Sequence, residues 1–457
     1  MDSELFALEA LSPLDGRYAR ETEPLRPYFS EFALIRGRLR VEVEYLLALA
    51  QEARLTRALD GPEQAQLRQL VADFTPAAAR EVKAIERTTR HDVKALEYYL
   101  RGQLAATSLA DMVEWLHFGL TSEDVNLIAQ ALALRESRDA VILPALDTFL
   151  ARLEELAREY RATPLLARTH GQPAVPTTLG KELAVQAARL RKQRALLRAH
   201  RFEAKLTGAV GNLNALVAAA PQVDWLTFSE QLIDRLGLEP NFVTTQLVPY
   251  DNWIGYFDVL RLTNAILLDL AQDMWRYISD DYLSLRVVAD EVGSSTMPQK
   301  VNPIDFENAE GNLGIANALF THYAQKLPIS RLQRDLSDST VRRTFGVALG
   351  HTLIAYQSLT RGLGRVQANE AKLRADLETH WEVVAEGAQT ILRAAGVGDA
   401  YETLKNLTRG KNLTAERYRA WVESLEVADP VRARLLALSP FTYTGLAEQL
   451  VELALHE

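Results

Sequence analysis

The chain has 457 residues, 48% of them apolar and 24% charged, enough to bury an extensive core in about three domains. With 51 basic and 60 acidic residues its net charge is −9, which argues against a general nucleic-acid binder but leaves room for a local basic pocket facing a small anion. There is no cysteine, so disulfides, thiolate nucleophiles and sulfur-ligated metals are excluded.

The opening Met1-Asp2-Ser3-Glu4 lacks the basic-then-apolar pattern of a signal peptide. No apolar run reaches the roughly 20 residues of a bilayer span, so a cytoplasmic protein is expected. Proline placement sets the architecture. None occurs between Pro76 and Pro144, Pro176 and Pro221, Pro249 and Pro298, or Pro328 and Pro430, so these spans can hold unusually long helices. An N-terminal helical domain is expected over 1–111, a central long-helix bundle over 112–366 and a C-terminal helical domain over 367–457.

The first polar break runs from His117 to Asn126. Its Thr121-Ser122 followed by Glu123 and Asp124 reads most simply as a helix N-cap with favourable first-turn charge. A helix is predicted from about Ala145 to Arg161, stopped by Pro164. The second break, Arg168-Thr169-His170-Gly171-Gln172-Pro173-Ala174, contains a histidine whose glycine and proline neighbours expose the backbone; alone, it reads as a hydrogen-bonded structural histidine. Further helices are predicted from Thr178 to about Lys205 and from Trp253 to Ala289. In the latter, Val259, Leu262, Ile266, Leu270, Met274, Tyr277 and Ile278 recur at three- and four-residue steps. The third break, Gly293 to Pro303, carries two adjacent hydroxyls, a lysine, an amide and two prolines. Such a loop costs entropy to order, which chemistry justifies better than packing does. Helices over Phe306–Lys326 and Val341–Leu363 follow. The pattern as a whole reads as an all-α helical bundle, oligomeric because its helices carry more apolar face than one chain covers.

The three breaks together supply what a β-elimination needs. A base takes the proton next to a carboxylate, an acid protonates the departing atom, and cations or amides hold the enolate-like charge. Histidine suits the acid. A serine serves as base only in a dry pocket with Lys300 nearby. Glu307 could orient His170 or be a solvated helix residue.

The second and third breaks resemble motifs of the fumarase/aspartase superfamily, whose members release fumarate from a succinyl group. Ser12 to Tyr18, Glu86 to Lys94, Thr244-Thr245-Gln246 and Gln333 to Val341 are similar to the nucleotide-specific segments of the adenylosuccinate lyase family, in its bacterial form of this length. The resemblance runs along nearly the whole chain. It implies an all-α, three-domain fold with a central bundle of long helices, tetramerising through that bundle, with active sites shared between subunits and no metal or cofactor. It also implies release of fumarate from adenylosuccinate, giving AMP, and from the succinylated carboxamide ribotide, giving its free carboxamide. His170 would be the general acid and Ser294 the base, with Glu307, Lys300 and His91 completing the catalytic set.

By the same resemblance Arg17, Tyr18, Arg334, Ser339 and Arg343 would hold the phosphate and ribose. Thr121, Ser122, Ser295, Lys300 and Asn302 would take the succinyl carboxylates. Arg90, His91, Asp92, Gln246, Val301, Asn308 and Thr340 complete the substrate-binding set. Guanidinium groups match phosphate oxygens in geometry and charge. Two positions depart from the family pattern: Arg90 stands where close relatives carry asparagine, and Gln299 where a histidine is usual. No two of the eight histidines are spaced for a zinc site, and no strand-then-glycine-rich turn suggests a dinucleotide site. The competing readings are another fumarate-releasing lyase of the argininosuccinate lyase type, which Gln299 suggests, and a non-catalytic scaffold such as a lens crystallin.

Overall fold

The structure is a computed structural model describing residues 3–286, 297, 300–399, 402, 404 and 413–456. Helices dominate, and the strands among the described residues are short, forming three two-stranded sheets. The chain divides into two compact units. One comprises Met1–Ala145, Gln193–Asn264 and Asn312–Ile354; the other comprises Leu146–Lys192, Ala265–Gly311 and Ala355–Glu457.

In the first unit, helix α1 (Glu31–Gln51) begins at Ser30, whose hydroxyl accepts from the Ala33 N–H at 3.1 Å. Helix α2 (Pro76–Thr89) begins with Thr75 as cap and proline at the first helical position. Helix α3 (Asp92–Leu104) is capped by a histidine: His91 Nδ1 accepts from the Lys94 N–H at 3.1 Å. Their inner faces share one core in which Leu39, Val43, Leu46, Val82, Leu96 and Leu100 are at most 1% exposed. Removing that surface from water supplies most of the stability here. Helix α4 (Ser122–Ser137) packs against α1, where Gly37 leaves room for Ala129. A second cluster stacks Trp253, Phe257, Phe320, Tyr323 and Phe345, with ring centroids of neighbouring pairs 4.9–6.2 Å apart.

The predicted long helices are present as α5 (Leu143–Glu159), α6 (Leu179–Ala199), α7 (Asp251–Ser279), α8 (Ile304–Lys326) and, after a short unpredicted helix α9 (Ser337–Arg342), α10 (Phe345–Arg365), which starts at Phe345 rather than at Val341. Two further boundaries differ from expectation. The run predicted to Ala289 stops at Ser279, because Asp281 takes a left-handed φ of 61°. Its N–H bonds Ile278 O at 3.1 Å and that of Tyr282 bonds Tyr277 O at 2.8 Å, a Schellman closure built on aspartate instead of glycine. Leu283–Leu285 then pairs antiparallel with Val366–Ala368. Helix α6 ends at Ala199, short of Lys205, which belongs to the segment after it.

In the second unit, strands β1 (Pro164–Thr169) and β2 (Gln172–Thr178) form an antiparallel hairpin where an inter-helix break was expected. Its two turn residues, His170 and Gly171, have φ of 54° and 75°. Positive φ at both central positions is the turn whose twist matches a two-residue hairpin. Leu166 anchors β1 in a core with Leu377, Trp381, Val384, Tyr418 and Val422.

Candidate active site

The first unit holds a cavity of about 350 Å³ that gathers several residues singled out by sequence. The α2–α3 junction delivers Arg90, His91 and Asp92. Ser122 comes from the start of α4, and Arg334, Ser339 and Arg343 from α9 and its flanks. The turn at Arg90 is tight: its φ is 55° and its N–H caps Glu86 O at 2.7 Å. That reversal places His91 and Asp92 at the first turn of α3. Thr121 is the N-cap of α4, and its N–H donates to Asp124 Oδ2 at 2.9 Å. Asp124 Oδ1 takes the Lys205 ammonium at 2.6 Å and the Thr207 and Gly208 N–H groups. Both side chains of that ion pair are fully buried.

Five arginines and three carboxylates (Glu86, Asp92 and Glu123) line the cavity. Most of these charges are paired. Glu123 is 1% exposed and takes Arg334 and Arg342, each at 2.8 Å. Burial pushes its carboxyl up, but the charges of Arg342 and Arg334 and the Asn126 amide together hold it below the usual glutamate range. Asp92 is likewise pushed up by burial and held low by Arg38, paired at 2.6 Å, and by the Val93 N–H. Arg343 pairs with Glu31 at 3.0 Å and lies 3.8 Å from Asp92. The Arg90 guanidinium makes neither hydrogen bond nor ion pair among the described residues and is the uncommitted cation of this wall.

Gln246 bridges to an adjoining recess. Its Oε1 accepts from Arg334 at 2.8 Å and its Nε2 donates to Ala209 O at 3.1 Å. Thr340 is exposed and outside the cavity lining. Arg17 is exposed and lies over the Tyr18 ring at 5.9 Å, in a turn where Tyr18 N–H bonds Pro13 O; neither lines the cavity. Sequence reasoning did not name Arg38, Asn126, Gln130 and Arg342 as site residues, and they also line the cavity. The i, i+3 spacing of Glu123 and Asn126 on one helix face was the available signal. Arg38, inside an apolar helix run, offered none.

The second unit carries the other predicted residues. His170 is exposed at the hairpin turn. Its strand is held by Arg168, which reaches Asp376 at 3.3 Å; Tyr282 donates to the same carboxylate, and Lys372 lies 3.2 Å from it. A cavity of about 870 Å³ opens beside Gly171, lined also by Glu182, Asp273, Arg276 and Tyr277. Lys300 and Val301 are exposed just before α8, and Asn302 is half-buried. Glu307 accepts the Trp275 indole N–H at 3.1 Å and makes no bond to His170. Asn308 accepts from Ser358 at 2.8 Å. Ser294, Ser295 and Gln299 lie outside the described residues.

Comparison with known proteins places this geometry. Residues 16–316 match the family model described as Lyase, and residues 330–444 match that described as Adenylosuccinate lyase C-terminal. An adenylosuccinate lyase of Haemophilus influenzae is 47% identical over 452 residues, covering 98% of this chain and 99% of its own. The chain belongs to the adenylosuccinate lyase family. Members from Escherichia coli strain K12 and Dictyostelium discoideum are 45% and 44% identical, covering 98% and 97% of this chain and 99% and 98% of their own. The fold extends beyond the family. A fumarate lyase from Mesorhizobium is 20% identical with a TM-score of 0.75, over 95% of this chain and 97% of that one. A 3-carboxy-cis,cis-muconate lactonizing enzyme from Pseudomonas putida is 22% identical with the same TM-score, over 99% and 98%. The all-α fumarase/aspartase architecture expected from sequence is thereby established. No helix among the described residues is long and apolar enough to cross a membrane.

Proposed function

We propose that this chain is a cytoplasmic lyase that cleaves adenylosuccinate to AMP and fumarate, and the succinylated carboxamide ribotide to its carboxamide, in purine nucleotide synthesis. The supporting observation is the arginine-lined cavity. It gathers His91, Asp92, Ser122, Arg334, Ser339 and Arg343 around a space suited to a phosphorylated, doubly carboxylated substrate. An amino-acid substrate would give those arginines no phosphate to bind.

In this reading Ser294 removes the proton from the carbon next to a succinyl carboxylate. The electron pair becomes the double bond of fumarate as the carbon–nitrogen bond breaks, and His170 protonates the departing nitrogen. Lys300 and Asn302 hold the carboxylate charge that grows in the transition state. Glu307 orients the imidazole, and Ser295, Val301, Thr340, Arg17, Tyr18 and Asn308 complete the pocket. The assembly is a homotetramer, with each site built from elements of more than one subunit.

Purified protein should release AMP and fumarate from adenylosuccinate in equal amounts; if no fumarate appears, the proposal fails. His170→Ala and Ser294→Ala should each lower kcat by about 100- to 10,000-fold, the range of acid–base contributions. Mixing the two inactive variants should restore measurable activity through hybrid tetramers. No recovery would remove the shared-site assembly while leaving the chemistry intact.

A further inference from the structure

Along the lining of the arginine-rich cavity a thread of largely buried polar side chains joins its two walls. It begins at Asp92, beside His91, whose Oδ2 takes Arg38 Nη2 at 2.6 Å. Arg38 Nε donates to Asn126 Oδ1 at 2.7 Å, and Asn126 Nδ2 donates to Glu123 Oε1 at 2.9 Å. Glu123 then divides its oxygens between Arg334 and Arg342 on the opposite wall. Arg38, Asn126 and Glu123 are 4%, 8% and 1% exposed.

The polarity of this thread is determined at every link. Asn126 must turn its oxygen to a guanidinium and its amide nitrogen to a carboxylate. It is therefore the one connector able to serve both, since a carboxylate there would face Glu123 with like charge. We propose that Glu123, Asn126 and Arg38 are positioning residues for the lyase reaction. They set the separation of the His91–Asp92 wall from the Arg334–Ser339–Arg343 wall and aim Arg334 into the cavity. The proposal rests on the substrate reading above.

The test is Asn126→Asp, an isosteric change that reverses one polarity without opening space. KM for adenylosuccinate should rise ten-fold or more while kcat stays within three-fold. AMP, titrated by calorimetry, should bind at least ten-fold more weakly. Adding Glu123→Gln restores a donor facing an acceptor and returns the net charge, so the double variant should recover part of both losses. Ile128→Val, a neighbouring core truncation, serves as a stability control that leaves KM and AMP affinity unchanged. Unchanged KM and AMP affinity in Asn126→Asp would overturn the proposal, as would losses that follow only the amount of folded protein. AMP binding also separates the two claims. If the wild type cleaves nothing yet binds AMP, and Asn126→Asp weakens that binding, the positioning role stands and the substrate reading falls. If the wild type neither cleaves nor binds, both fall.

Discussion

Arg90 occupies a backbone conformation that suits it badly. A left-handed φ costs a residue with a long side chain roughly 1 kcal/mol, whereas asparagine enters that region readily. The asparagine expected at this position from family resemblance thus has a conformational reason. Arg90→Asn should raise stability by about 0.5–1 kcal/mol, read as a higher Tm. The same change removes the uncommitted cation of the cavity wall, so it should also weaken the dependence of KM on salt. A Tm that falls would show that the guanidinium has a partner worth more than the backbone strain. At this scale the sequence was partly legible. His91, Asp92, Ser122, Arg334, Ser339 and Arg343 could be named because the segments that carry them resemble motifs of the family; of the six, only Ser122 also lies in a polar break that composition alone singles out. Arg38 and Arg342 could not, since a buried arginine reads like any other helix residue until its partners, distant in sequence, are known.

Between elements, one close approach is at Gly180, in the first turn of α6. A methyl group there would lie 2.3 Å from Ala157 O and 2.6 Å from the Arg161 backbone, with no flexible side chain to yield. The Gly180 N–H also bonds Tyr160 O at 2.9 Å, so the end of α5 and the start of α6 meet backbone to backbone across the hairpin that bears His170. Gly180→Ala should therefore cost about 2–3 kcal/mol, and denaturant unfolding should show it. Asp281→Gly should act in the opposite direction, by about 0.5–1 kcal/mol, by relieving the left-handed closure of α7. Helix interiors were visible in the sequence because their apolar period is 3.6 residues. The stop at Ser279 was not, because aspartate does the work usually signalled by glycine. Nor was the hairpin, since two strands of six and seven residues with prolines inside them carry no clean alternation.

For the whole molecule, charge governs the response to solvent. The cavity carries a surplus of two positive charges in a chain of net −9, which concentrates polyanionic substrate at one place on an otherwise repelling protein. Raising ionic strength should accordingly raise KM more than it changes kcat. Acid stability follows from His200, whose pKa is lowered to about 4 by burial and then by Arg138. The folded state resists its protonation, so stability is full above the unfolded value of about 6.5 and declines as pH falls from there to about 4. His351, lowered by burial, acts the same way. His117 acts oppositely: burial opposes its protonation but Glu42 outweighs it, so its contribution is greatest in acid and fades as pH rises through its folded pKa. A Tm profile over pH 4–7 should flatten when His200 is replaced by glutamine; an unchanged slope would refute this assignment. One further consequence comes from Lys205, sealed beside Asp124 with no solvent contact. An acylating reagent in the surrounding water can reach that amine only through molecules that have come apart. Mass-spectrometric tracking of its modification would therefore time the rare global openings of this part of the protein, while lysines on the surface react at once.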